Sequence, residues 1–285
     1  MGVQFIAEIS SNHNVDLARC LRFVDVAGDI GCDGVKFQLF RIKNLFAPEI
    51  LKKSAMHRAR EKWELPVSFL PSIAEHCRKK GLSFSCTPFD LQAVEEMAPY
   101  VDFYKIASYE LTWPALLEAC AAKGKPVVLS TGMADIDEVR QATHSLRNAG
   151  CEDLTLLHCV SNYPSAPEQS NLACIRTLRE TCQCKTGWSD HSVSSAVIYR
   201  AVHAYSASMI EFHLDIEGEG YEYQGGHCWL PDQIKKVIDD VRVGESADGN
   251  GEKTYTAGEQ NERMWRADPE DGLRPFKEIR EHFSG

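Results

Sequence analysis

"QFIAEISSNHN", residues 4–14, is the stretch on which the fold turns. It begins as an apolar run of strand character and passes straight into small polar residues. A doubly wound dinucleotide-binding sheet carries a GxGxxG turn at this place, which lets backbone approach a pyrophosphate. "SSNHN" holds no glycine, so the open sheet loses its main signature. Working outward, seven more apolar runs follow: GVKFQLF (34–40), SFSCTPFD (83–90), DFYKIAS (102–108), PVVLSTG (126–132), LTLLHCVS (154–161), KTGWSDHS (185–192) and MIEFHLDI (209–216). Helical periodicity fills 16–30, 69–80, 91–98, 114–123, 135–149, 170–180 and 194–206, with an eighth such stretch at 231–243. Eight strand–helix units in sequence predict an α/β fold of the (β/α)8 TIM-barrel type.

Two segments fall outside the repeat. Residues 41–68 are too long for a plain strand–helix loop and rich in charge, which suits a lid or flap. Residues 244–285 start polar and glycine-rich, as a C-terminal tail rather than a second domain. The expected organisation is a catalytic barrel over 1–243 and a tail over 244–285.

Composition narrows the function. The 285 residues are 44% hydrophobic and 25% charged, ordinary for a globular protein. A net charge of −10 argues against general affinity for nucleic acid or anionic membranes. The N-terminus lacks a signal peptide's basic and apolar regions, and no apolar run nears the roughly 20 residues of a membrane span. A cytoplasmic location is expected. The eleven cysteines, scattered among apolar positions, read as reduced thiols. Cys182 and Cys184 are the close pair, with no further metal ligands at matching spacing.

Barrel active sites form at the C-terminal ends of the strands. Here every strand end carries a polar or ionisable group: Glu8; Lys36 and Gln38; Thr87 and Asp90; Lys105 and Ser108; Ser130 and Thr131; Ser161 and Tyr163; Ser189, Asp190 and His191; Glu211 and His213. Eight such ends converging on one mouth are costly as structure alone. Lys36 and Lys105, with the hydroxyls of Thr87, Ser108, Ser130 and Ser189, make a cradle for phosphate or carboxylate. Alternatively, each lysine pairs with a carboxylate such as Glu8 or Glu211. His191 and His213 end adjacent strands and could meet at one divalent ion, or serve as hydrogen-bonded core residues. His13, His158 and His227 are weaker candidates, and His158, in mid-strand, reads as structural.

The segments "AEISSNHN", "VKFQLF", "CTPFD", "FYKIASYEL", "PVVLSTGMA", "LLHCVSNYPS", "GWSDHS" and "IEFHLD" together resemble the sialic acid synthase (N-acetylneuraminate synthase) family. They occur in the family's order over about residues 3–243. The resemblance implies a barrel that condenses phosphoenolpyruvate with an aldose to a 2-keto-3-deoxy sugar acid, releasing phosphate. It implies Mn2+ or Mg2+ on His191 and His213. Lys36, Thr87, Lys105, Ser108, Ser130 and Ser189 would hold phosphoenolpyruvate, with Ser161 as a further donor. Glu211 and Glu8 would lie beside the reacting carbons, and Gln38 and Tyr163 near the sugar. A homodimer is also implied.

Three departures mark the chain. "VSNYP" places Ser161 where the family often has asparagine, and Asn162 one place later, facing away. "GGHC" stands where many members read Pro-Asp-His, so Gly226 replaces a sugar-binding aspartate. The sequence reaches its end where an antifreeze-like domain would begin, leaving Arg263, Arg266 and Arg274 to supply an arginine to the sugar. An acceptor resembling N-acetylmannosamine, or a diacetamido-dideoxy hexose, is expected. Other classes compatible with the residues are a Schiff-base aldolase using Lys105 or Lys36, and a non-catalytic barrel that binds sugar acids.

Overall fold

A computed structural model describes residues 2–283. Its first unit, to Val243, opens with β1 (Gln4–Glu8), α1 (Leu17–Asp29) and β2 (Gly34–Leu39). The insertion follows, as α2 (Ile42–Leu45), α3 (Pro48–Lys53) and α4 (Ala55–Arg58) with two 3-10 turns. The repeat then runs α5 (Leu70–Lys80), β3 (Ser83–Pro88), α6 (Leu91–Met97), β4 (Phe103–Ile106) and α7 (Pro114–Ala121). It continues with β5 (Val127–Ser130), α8 (Ile136–Asn148), β6 (Leu154–Cys159), α9 (Cys174–Cys182), β7 (Lys185–Asp190), α10 (Ser195–Tyr205) and β8 (Met209–Leu214). After β8 come α11 (Tyr221–Gln224), a two-residue strand β9 (Cys228–Trp229) and α12 (Pro231–Ala247).

The strands pair in parallel in sequence order, and β1 closes on β8 from Gln4↔Met209 to Glu8↔His213. This is the expected (β/α)8 barrel. Strand alternation divides each strand between two environments. Outward residues such as Phe5, Val35, Phe84, Ile106, Leu129, Leu156, Trp188 and Phe212 join a continuous core with the helices. Inward residues Ile6, Phe103, Val128, Leu157 and Met209 form a separate apolar plug inside the barrel. Gly34 and Gly187 have the same inward parity, and neither position has room for a side chain. A Cβ at Gly187 would press into the Met209 carbonyl and lie 2.7 Å from a Leu157 methyl.

Helix starts are set locally. Asp16 caps α1 by accepting from Ala18 N at 2.8 Å, and Asp135 with Glu138 makes a capping box on α8. Asp90 caps α6 through Ala93 N at 2.7 Å and also anchors the insertion. It accepts from Arg41 at 3.1 Å and Asn44 at 2.8 Å, while Arg41 also pairs with Glu96. The insertion is therefore a pinned cluster of short helices rather than a bare loop. Its Trp63 ring lies 5.4 Å from that of Tyr221 in α11.

Residues 244–283 form a separate compact unit carrying α13 (Gln260–Met264) and α14 (Lys277–Arg280). Within it Arg263 stacks on Tyr255 at 4.1 Å and Arg266 on Phe276 at 5.2 Å. The eleven cysteines are free thiols. Among the described residues no helix is long and apolar enough to cross a membrane.

Gly187→Ala forces a methyl against backbone that cannot swing aside. It is expected to destabilise the protein by about 3 kcal/mol, read as a lower urea midpoint; a midpoint equal to that of the wild type would show that the barrel floor yields.

Candidate active site

Above the plug, the next inward layer is polar and buried: Glu8, Lys36, Thr87, Lys105, Ser130, Ser189 and Glu211. The registers Glu8↔Lys36 and Ser189↔Glu211 put these groups side by side. Lys36 Nζ pairs with Glu8, donates to Thr87 Oγ1 at 3.2 Å and lies 3.8 Å from Glu211. Lys105 Nζ lies 3.4 Å from Glu211 Oε1, which accepts from Ser189 Oγ at 3.0 Å. Each lysine thus has a carboxylate beside it, as the alternative reading expected, and the residues expected to form the cradle, Ser108 apart, lie in the same layer.

Burial sets the titration of this layer. It pulls Lys36 down, and neighbouring Lys105 adds to the pull against Glu211, leaving its pKa at about 8. Burial alone would raise Glu211, but Lys105 and Lys36 outweigh it and hold this carboxyl below the usual carboxylate range.

One side of the mouth is an arc of hydroxyls. Ser108 Oγ accepts from Gly132 N at 2.9 Å and lies 3.2 Å from Cys159 Sγ. A Cβ at Gly132 would fill the space between Ser161, Cys159 and Ser108. Ser130 Oγ is buried without a partner among the described residues, an open hydrogen-bonding group facing the same barrel interior.

The other side holds the imidazoles. His191 Nδ1 lies 2.8 Å from the Val160 carbonyl, and His213 Nδ1 lies 2.8 Å from Glu222 Oε2. Both partners are acceptors, so in a neutral ring the proton sits on Nδ1 and the lone pair on Nε2. The ring centroids are 5.3 Å apart. Two imidazoles so placed could supply two ligands to one divalent ion, each ring fixed by an acceptor behind it. Burial, and then the neighbouring His213, lower the His191 pKa to about 3, so it is neutral and able to ligate. The Tyr163 ring packs 4.1 Å from His191 and is 42% exposed, at the rim. Gln38 Nε2 donates to Ser10 Oγ at 3.2 Å and approaches Glu8 at 3.4 Å.

Some expected groups lie elsewhere. Asp190 accepts from the indoles of Trp188 at 3.0 Å and Trp229 at 2.9 Å and serves packing. His158 bonds the Ser170 carbonyl at 2.9 Å, the structural role its mid-strand position suggests. Asn162 is exposed and, with Ser161, lines a cleft of about 510 Å³ between the β5 and β6 loops.

Glu222 was missed. It is buried, accepts from Ser10 Oγ at 2.5 Å and Ser11 Oγ at 2.7 Å through Oε1, and holds His213 through Oε2. Burial opposes its charge, but hydrogen bonds from His213 and His227 keep its pKa well below normal. The signal was a glutamate nine residues past a candidate ligand, hidden in "EGEGYEYQ" among two others. Strain also gathers near the mouth: Ser10, Asn14, Val15 and Val193 have φ between 49° and 55°.

Against known proteins, the sequence model of the NeuB family matches residues 23–253. An uncharacterized protein of Methanocaldococcus jannaschii is 37% identical over 251 residues, spanning 87% of this chain and 72% of its own. The N,N'-diacetyllegionaminic acid synthase of Campylobacter jejuni is 32% identical over 270 residues, spanning 90% and 80%. The crystal structure of N-acetylneuraminic acid synthetase from Leptospira borgpetersenii superposes with a TM-score of 0.80 at 30% identity, covering 92% of this chain and 90% of that one.

His13, buried with its Nδ1 accepting from Val15 N at 2.9 Å, has its pKa lowered to about 4, chiefly by burial. Below about pH 6.5 the unfolded ring binds a proton that the folded ring refuses. Its contribution to stability is thus full above that pH and lost as pH falls toward 4. Urea midpoints in EDTA should fall over that interval, and His13→Gln should flatten the fall; an unchanged slope would remove His13 as the cause.

Proposed function

The chain belongs to the NeuB family, and from that membership we propose that it condenses phosphoenolpyruvate with an aldose to a sialic-type 2-keto-3-deoxy sugar acid and phosphate. The observation that supports this reading is the pair of imidazoles, His191 and His213, each engaged at Nδ1 by an acceptor, beside a buried layer of two lysines and two glutamates. The names of the relatives support the substrate class. The Campylobacter jejuni protein is named for a diacetylated product, which favours a diacetamido-dideoxy hexose over a plain hexose as acceptor.

Lys36 and Lys105 would take the phosphate and carboxylate of phosphoenolpyruvate, turning toward it from Glu8 and Glu211. Thr87, Ser108, Ser130, Ser161 and Ser189 would add neutral donors. Because these groups already share one buried layer, binding would exchange the partners of the lysines without assembling the site anew. The residues fit a divalent ion, Mn2+ or Mg2+, at His191 and His213, with Val160 and Glu222 setting the ring orientations. When bound, it would polarise the aldehyde oxygen of the acceptor. C3 of phosphoenolpyruvate then forms the new carbon–carbon bond, and positive charge develops at C2. Glu211, ionised between two lysines, stabilises that charge and accepts a proton from the water that adds there. Glu8 is placed to share this role. Collapse of the tetrahedral centre releases phosphate toward the lysines. Gln38 and Tyr163, at the rim, would orient the sugar, and the pinned helices of 41–68 would cover the mouth and exclude water.

The lowered pKa of Lys36 also favours a second reading, a Schiff-base aldolase. Borohydride trapping with pyruvate, and activity that survives EDTA, would select it.

With phosphoenolpyruvate, a panel of aldoses and Mn2+, phosphate release should appear for an acetamido sugar. His191→Ala and His213→Ala should each abolish it, and wild-type turnover in either would exclude the two-imidazole site. Glu211→Gln should lower kcat by about 100-fold or more with a smaller change in KM; an effect on KM alone would assign Glu211 to binding.

A further inference from the structure

Behind His213, on the side away from its Nε2, lies a donor cluster in which the proposed condensation leaves His227 and Cys228 without a role. His213, Glu222, His227 and Cys228 are all buried, and one ligand atom from each lies within 4.8 Å of the other three. Three elements assemble it. β8 supplies His213, α11 supplies Glu222, and the parallel register His213↔Cys228 places β9 beside β8. Glu222 Oε2 is the centre. It lies 2.8 Å from His213 Nδ1, 3.6 Å from His227 Nε2 and 4.0 Å from Cys228 Sγ. Oε1 is occupied by the hydroxyls of Ser10 and Ser11, so Oε2 is the oxygen left for this cluster.

These separations suit a tetrahedral ion. Bonds of about 2.0–2.3 Å to nitrogen, oxygen and sulfur put neighbouring ligands roughly 3.3–3.8 Å apart. His213 and Glu222 need only part slightly, and Cys228 needs only draw in. Asn12 Nδ2 lies 3.7 Å from Cys228 Sγ, a donor suited to a thiolate. His227 Nδ1 is buried with no partner among the described residues, so its ring is engaged only on the Nε2 side.

We propose that His213 Nδ1, Glu222, His227 and Cys228 form a second cation site, closed by four protein ligands and selective for a thiophilic divalent ion such as Zn2+ or Co2+. A thiolate with two imidazoles prefers these ions, whereas Mn2+ and Mg2+ prefer oxygen. Binding releases the Cys228 thiol proton, and the proton on His213 Nδ1 moves to Nε2. A neutral imidazole offers one lone pair, so an ion here withdraws His213 from the site it shares with His191. The two sites exclude each other, and zinc becomes an antagonist of Mn2+ binding. The site's existence does not depend on the condensation reaction; the antagonism depends on the His191–His213 site.

The full chain, stripped of metal, is titrated with Co2+ and with Zn2+. Co2+ is expected to give one tight equivalent with a thiolate-to-cobalt charge-transfer band in the near ultraviolet. Cys228→Ser should erase the band and weaken Zn2+ binding by at least about tenfold, the lower range for disturbing a metal shell. His227→Gln should weaken it similarly. His191→Ala should keep the band, because His191 is outside this set. Mn2+ binding, followed by its paramagnetic resonance signal, should be weakened by one equivalent of Zn2+ in the wild type but not in Cys228→Ser. Co2+ bound without the band, or a band that survives Cys228→Ser, overturns the proposal. A band that disappears in His191→Ala overturns it too, by placing the ion at the first site. Co2+ and Zn2+ behaving as stated while no aldose releases phosphate would leave this site standing and reject the proposed reaction instead.

Discussion

Everything at the mouth depends on a buried layer of opposite charges, Lys36 with Glu8 and Glu211 with Lys105 and Lys36. An isolated ion at that depth would neutralise itself or drag in water. Four together, with Thr87 and Ser189 as hydrogen-bonding neighbours, can stay charged because each ion's desolvation is offset by its partners. The arrangement is tight around Glu8 and looser around Glu211, whose lysines stand at 3.4 and 3.8 Å. That looseness leaves ammonium hydrogens available. A fully satisfied layer would be stable and inert; this one can exchange a carboxylate of its own for one carried by a ligand.

Strand parity makes the layer possible. The residues that point inward at the floor are Ile6, Phe103, Val128, Leu157 and Met209, and two positions further along the same strands come Glu8, Lys105, Ser130, Cys159 and Glu211. An apolar plug closes the barrel below and removes solvent from that side. The charged groups above it therefore work in a medium of low dielectric, where each hydrogen bond and ion pair is stronger than in water. A register slip of one residue on any strand would send its member of the layer outward into the helices.

This logic explains what could be read in the sequence. Period-two alternation ending in Glu8, Lys36, Lys105, Glu211 or His213 is a local pattern, so strands, helices and the main polar residues were legible before any contact was known. Loop geometry was not. Glu222 sits in a short helix whose sequence has no periodicity to betray burial, and its importance comes from Ser10 and Ser11 at the far end of the chain. Segment 41–68 read only as a charged insertion suited to a lid or flap, without its helices, because α2 to α4 are each six residues or fewer and are held by tertiary bonds such as Arg41–Asp90 rather than by helical pattern. Asp190 shows the opposite error. It stands at a strand end with the right chemistry, but parity turns it away from the mouth, where two indoles claim it.

Glu222 also joins the two halves of the mouth into one problem. Its Oε1 ties the loop after β1, while its Oε2 chooses which nitrogen of His213 carries the proton. A carboxylate that only accepts from Nδ1 aims Nε2 at a partner beside His191; the same carboxylate acting as a ligand reverses the ring's polarity. Behind His191 stands a neutral acceptor, the Val160 backbone carbonyl. Here the residue behind the second imidazole is a charged glutamate with a thiol and a third imidazole within reach. The sequence "GGHC" therefore does more than leave out the aspartate that the resemblance would place there. On the proposed second site it brings a thiol and a further imidazole within reach of His213, and the choice of metal would follow from which side of that ring is filled.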